Sequence, residues 1–200
     1  MNIKASKTLT IVSGPNGAGK TTFVKNTYLE YLERGHFLNA DIYAEEMNSG
    51  DVGNVAVSAG KWFLAEFDAR LQKGDSFIIE TTLSGKSLLK KIQKARENGF
   101  LVRLIFLMIS TPWLCDFRVK GRVALGGHNI PEKDIKRRYS RGLQNLPVYT
   151  ASVDEFELFQ ANEIPVLIAS KSKGASIQIH DSAWYDELMQ MAKSQQQQVV

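Results

Sequence analysis

The sequence predicts an α/β fold in three layers, a mainly parallel sheet between two layers of helices, and three observations carry that prediction. Short apolar runs alternate with segments of helical spacing through most of the chain. A glycine-rich loop, Gly14-Pro15-Asn16-Gly17-Ala18-Gly19-Lys20-Thr21, lies between the first apolar run and the first helical segment. After Pro147 the pattern changes to closely spaced short strands, which reads as an antiparallel hairpin added to the sheet.

Taken in order, Thr8 to Val12 is a buried strand and Thr21 to Lys25 opens a helix whose first N–H groups have no partner inside it. His36 to Ala40 is a short second strand ending in Asp41. Val55 to Leu71 carries Phe63, Leu64, Phe67 and Leu71 at helical spacing and is closed by Gly74. Ser76 to Thr81 is a third strand with Glu80 at its end, Lys86 to Glu97 a helix stopped by Gly99, and Phe100 to Ile109 a strongly apolar fourth strand. Pro112 starts a helix through about Ala124, Gly126-Gly127 breaks it, and Pro131 starts another with Glu132 and Asp134 in its first turn. On that helix Ile135, Tyr139, Leu143 and Leu146 share one face, and Lys133, Arg137 and Arg141 the opposite one. The closing pattern is Phe156 to Phe159, Val166 to Ala169 and Ser176 to Ile179, the first two a hairpin around Asn162-Glu163, then a helix from about Asp181 to Ala192. The expected organisation is one domain over residues 1–193 and a low-complexity, frayed tail over 194–200.

The glycine loop matches the phosphate-binding pattern G-x-x-x-x-G-K-[ST], for which a chance match in a chain of 200 residues has a probability of roughly one per cent. Its residues Gly14, Pro15, Asn16, Gly17, Ala18, Gly19, Lys20, Thr21 and Thr22 are the expected nucleotide-binding set. The glycines turn backbone amides inward, Lys20 reaches the terminal phosphates, and the Thr21 hydroxyl is the expected ligand of a nucleotide's Mg2+. The fold class is therefore a three-layer P-loop NTPase fold. Ligands in such a sheet sit beyond the carboxyl ends of the strands, so Asp41 and Glu80 point to the crevice that holds the phosphate loop. One is expected to accept a proton from an attacking hydroxyl, the other to hold metal-bound water or orient the acceptor, and the sequence leaves open which does which.

Charge supports the same site. The net charge is only +4, too small to argue for nucleic acid, but residues 118–141 carry eight basic side chains against two acidic ones. That segment is the expected arginine-rich helical lid, hinged at Gly126-Gly127, closing over bound nucleotide. Cys115, the sole cysteine, reads as a buried hydrophobe among Trp113, Leu114 and Phe117. No apolar run is long enough to cross a bilayer, and the expectation is a cytoplasmic protein with no nucleic-acid or membrane partner. A regulatory GTPase is disfavoured because the chain has no Asn-Lys-x-Asp element. A transporter-type ATPase is disfavoured because Leu83-Ser84-Gly85 is followed by Lys86 and not by Gly-Gln. No apolar docking surface is apparent.

Together the phosphate loop, Leu38-Asn39-Ala40-Asp41, Ile79-Glu80-Thr81-Thr82-Leu83-Ser84-Gly85, the stretch Arg122 to Pro131, Arg137-Arg138-Tyr139 and Leu143-Gln144-Asn145-Leu146 resemble the zeta toxin family of P-loop kinases, in its compact, often chromosomal branch. The similarity covers about residues 6–180. It implies ATP- and Mg2+-dependent phosphorylation of a small-molecule acceptor; in the toxins this is the 3′-hydroxyl of the amino sugar in UDP-N-acetylglucosamine. It implies an antitoxin protein as a partner. Lys20 and Thr21 match the family's nucleotide and magnesium residues, Asp41 its general base, and Glu80 its acceptor-side acid, with Thr82 alongside. Of the lid arginines Arg118, Arg122, Arg137 and Arg138, the expected catalytic contributors are Arg122 and Arg138. His128 stands where the resemblance leads one to expect a basic residue.

Overall fold

In the computed structural model, which describes residues 7–47, 52–127 and 129–197, the apolar runs form one sheet of order β2-β3-β1-β4-β5-β6-β7. Strands β1 (Thr8–Ser13), β2 (Phe37–Leu38), β3 (Phe77–Thr81), β4 (Leu101–Met108) and β5 (Glu155–Gln160) are mutually parallel. Strands β6 (Val166–Lys171) and β7 (Gln178–Ile179) extend the edge antiparallel. The three-layer, mainly parallel fold predicted from the sequence is the observed one. Near-continuous apolar strands are what a sheet covered on both faces requires: Leu9, Ile11, Val12, Phe77, Ile78, Ile79, Leu104 and Leu107 are all fully buried.

The helices are α1 (Lys20–Thr27), α2 (Leu29–Glu33), α3 (Ala40–Met47), α4 (Val52–Lys73), α5 (Ser87–Glu97), α6 (Pro112–Ala124), α7 (Glu132–Ser152) and α8 (Ser182–Gln197). Helix α6 starts as expected, with Pro112 at its first position and Thr111 as N-cap, its hydroxyl accepting from Leu114 N. The predicted apolar face of α7 is confirmed: Ile135, Tyr139, Leu143 and Leu146 are buried.

Two expectations are corrected. The second strand is only two residues long and Asp41 is not at its tip. Asn39 Oδ1 accepts from the amides of Asp41 and Ile42, so Asn39 caps α3 and Asp41 lies in that helix's first turn. Pro147 does not end α7, which runs to Ser152 with Pro147 exposed between the buried Leu146 and Tyr149. Packing of those two side chains holds the helix through the lost backbone donor. After α7, β5 pairs parallel with β4 and β6 turns back antiparallel on β5, the hairpin expected around Asn162-Glu163. The tail is helical to Gln197, and residues 198–200 lie outside the described residues.

Candidate active site

The site forms where β1, flanked in the sheet by β3 and β4, leads into α1. Helix α1 has Gly19 as its N-cap with no side-chain capping bond, so its first-turn amides face the loop unpaired by a cap. The loop's shape is set by contact as much as by conformation. Gly14 has φ +141 and a Cβ there would lie 2.3 Å from Leu107 O of β4; Gly17 has φ +80 and a Cβ would lie 2.8 Å from Cys115 O of α6. Strand β4 and helix α6 therefore press the loop from behind.

Lys20 is buried, 6% exposed, and its Nζ donates to Pro15 O at 3.0 Å while lying 3.7 Å from Glu80 Oε1. Thr21 Oγ1 donates to the other Glu80 oxygen, Oε2, at 2.7 Å. Glu80 is the penultimate residue of β3, beside β1, with Glu80 in register with Val12. One carboxylate thus touches both the lysine and the threonine of the phosphate loop. The Thr21 hydroxyl and the Glu80 carboxylate are hard oxygen donors held together beside the helix N-terminus, a set that fits Mg2+.

Two cavities open from this centre. One, about 510 Å³, is lined by Gly17, Gly19, Thr21, Thr22, Lys25 and, from α6, Arg118, Val119 and Arg122. The other, about 330 Å³, is lined by Lys20, Thr81, Thr82, Ser84, Arg137 and Arg138. Asn39, Asp41 and Glu80 belong to both walls. Asp41 is exposed at that junction.

The four lid arginines divide among different tasks. Arg118 Nη1 donates to Gly17 O at 3.3 Å and Ala161 O at 2.9 Å, and its Nη2 donates to Asn162 O. It ties α6, the phosphate loop and the β5–β6 turn together, a role the sequence reading did not assign. Arg122 stands on the wall of the first cavity. Arg137 is engaged by Asp134 at 2.9 Å, while Arg138 lines the second cavity and makes no ion pair among the described residues. Of the expected lid, α7 is anchored: Tyr139 Oη donates to Ile109 O and Ser110 O. His128 lies outside the described residues. Cys115 is fully buried as expected, and burial pushes its thiol up to about 12.

The sequence reading named the phosphate loop, both acids, Thr82, Arg122 and Arg138, and the structure gathers Lys20, Asp41, Glu80, Thr82 and Arg138 around one cavity. It missed Asn39 and Ser84 as wall residues, although Asn39 carried a readable N-cap signal ahead of Ala40-Asp41. It also anticipated no apolar surface, yet Trp113 and Phe117 on α6 are 70% and 61% exposed and stacked at 5.4 Å. No helix among the described residues is long and apolar enough to cross a membrane.

Comparison with known proteins gives the fold a context. An uncharacterized protein of Haemophilus influenzae is 31% identical over 126 residues, 63% of this chain and 88% of that protein. The AvrRxo1-ORF1:AvrRxo1-ORF2 complex, solved with sulphate ions, superimposes with a TM-score of 0.73 at 17% identity over 93% of this chain; the same complex has been solved with ATP, at a TM-score of 0.69. The present chain spans 64% of the length of that matched chain. The PezAT chromosomal toxin-antitoxin system of Streptococcus pneumoniae gives a TM-score of 0.62 at 16% identity, over 98% of this chain and 88% of that one. These likenesses establish a shared fold, in agreement with the zeta toxin resemblance read from the sequence. The family model described as AAA domain matches residues 9–141, from β1 through the phosphate loop and both acids to the arginines of α7, and the chain belongs to that family.

Proposed function

We infer that this protein is a Mg2+- and ATP-dependent kinase of a small molecule, transferring the γ-phosphoryl group to a hydroxyl of a nucleotide-sugar such as UDP-N-acetylglucosamine. The observation that carries the reading is the pair of cavities meeting at Asn39, Asp41 and Glu80. A nucleotide hydrolase needs one cavity and water; a phosphotransferase needs two that meet where the phosphoryl group changes hands.

In this reading the larger cavity takes ATP, with phosphates on the loop amides and α1 N-terminus, and the smaller one takes the acceptor. Asp41, in the first turn of α3, accepts the proton of the acceptor hydroxyl at its carboxylate as the oxygen attacks phosphorus. Lys20 and Arg138, approaching from the start of α1 and from α7, stabilise the charge on the transferring group. Mg2+, when bound, neutralises phosphate oxygens, and Thr21 and Glu80 are the residues that would hold it. Glu80 also borders the acceptor, and Thr82 contributes a hydroxyl to the same wall. The acceptor's identity rests on the sequence resemblance, as does an antitoxin-type partner, which the PezAT likeness supports at the level of fold.

A second reading, a nucleotide-gated protein that acts on a partner, is favoured by the exposed Trp113–Phe117 pair on the helix that backs the phosphate loop. Mass spectrometry of a metabolite extract incubated with the protein, ATP and Mg2+ separates the two. A new phosphorylated metabolite is the result expected of the kinase; free phosphate alone contradicts it.

A further inference from the structure

The motif Leu143-Gln144-Asn145-Leu146 has no part in the chemistry above, yet Asn145 is a polar side chain only 4% exposed in the middle of α7. Its Nδ2 donates to Leu83 O at 2.8 Å. Leu83 is fully buried and is the described non-glycine residue with a left-handed backbone, φ +55. That conformation is unfavourable for a side chain with a Cβ, so it persists only where surroundings hold it.

The surroundings are successive turns of α7. Gly142 packs so closely that a Cβ on it would lie 2.6 Å from Thr82 O. One turn on, Asn145 holds Leu83 O; one turn further, Tyr149 Oη donates to Gly85 O at 2.7 Å. Residues 142, 145 and 149 share one helix face. The loop closes on itself from the other side, with Leu83 N donating to Thr81 Oγ1 and Thr82 Oγ1 to Ser84 Oγ. Thr82 and Ser84 then line the smaller cavity together with Arg137 and Arg138 from the N-terminal part of the same helix.

We propose that Gly142, Asn145 and Tyr149 form a clamp that fixes the Thr82–Gly85 loop as the acceptor-recognition wall, with Asn145 its central positioning residue. The proposal rests on the kinase reading for the word acceptor, but the clamp itself does not. A helix that carries the cavity's arginines also sets the hydroxyls that line it with them, so the spacing between the two groups is built into one rigid element. The ATP side, made by β1, α1 and α6, shares no residue with the clamp.

The test uses Asn145→Leu, which keeps size and removes the donor, and Gly142→Ala, which pushes on Thr82 O from a second position. Three measurements are made on each: affinity for a non-hydrolysable ATP analogue with Mg2+, amide exchange of residues 82–86, and steady-state kinetics with UDP-N-acetylglucosamine. The expected result is exchange in the loop and acceptor KM each raised about tenfold, the equivalent of about 1.4 kcal/mol. Nucleotide affinity, kcat at saturating acceptor, and exchange in β1 and β4 stay within about twofold of wild type, since those groups lie outside the clamp. Unchanged loop exchange in both variants overturns the clamp, and so does a parallel loss of nucleotide affinity, which would mark general loosening. Wild-type protein that leaves UDP-N-acetylglucosamine unmodified contradicts the acceptor reading and not the clamp, which the exchange measurement then decides alone.

Discussion

The two cavities are built in opposite ways. The larger one is built chiefly on the glycine loop, with positive-φ Gly17 pressed by the Cys115 carbonyl, positive-φ Gly19 and the open first turn of α1, joined by Arg118 and Arg122 of α6. The smaller one is made of side chains from separated places, Asp41 on α3, Thr82 and Ser84 after β3, and Arg137 and Arg138 on α7. A backbone site tolerates few residue types at any position and is general for phosphate. A side-chain site is free to vary, and in the proposed kinase that freedom would set the acceptor.

The comparison breaks most visibly at Lys20, which belongs to the phosphate loop yet lines the smaller cavity. Lys20→Ala is expected to lower turnover by about 10³-fold and to abolish measurable nucleotide binding, read by calorimetry and by phosphoryl transfer together. Retained nucleotide affinity would show that the loop amides suffice. Next in size is the contrast between two neighbours on α7. Arg138→Ala is expected to cost about 10²-fold in kcat, and Arg137→Ala less than about fivefold because Asp134 already engages that guanidinium. Equal losses would mean the lid arginines act interchangeably.

Smaller effects test the rigidity of the backbone site. Gly17→Ala places a methyl against Cys115 O at an unfavourable φ, so stability should fall by about 1–3 kcal/mol and ATP affinity by about tenfold. Denaturant unfolding and ATP titration on the same preparation read both. Least of all, Cys115 behind the loop should be alkylated at pH 8 at least about 100-fold more slowly in the folded protein than in urea. Its thiol, held up to about 12 by burial against about 8.5 when unfolded, favours the neutral form in the folded state. The stability it contributes is complete below about pH 8.5 and is lost as pH rises toward 12. Rapid alkylation of the native protein would mean that α6 lifts off the loop.

The same contrast explains what the sequence disclosed. The phosphate loop was legible because its chemistry and conformation fall in one short segment of restricted composition, and β1, β3 and β4 because full burial on both faces leaves unbroken apolar runs. Asp41 was found, but on the wrong element, since the N-cap role of Asn39 ends the strand early. Helix α7 was cut short at Pro147 because propensity says nothing of Tyr149, buried on the far side. The wall of the smaller cavity was legible only in fragments. Nothing in Thr82-Leu83-Ser84-Gly85 announces a left-handed leucine, because the cause lies some sixty residues away on α7.

The central claim is that the two cavities meet at a carboxylate that takes a proton as phosphate moves. It is tested most directly by Asp41→Asn, with turnover of the phosphorylated acceptor and affinity for ATP measured on one sample. The account predicts kcat reduced by about 10²–10⁴-fold with nucleotide affinity within about twofold of wild type. Near-normal turnover, or a loss carried by ATP affinity instead, would contradict it.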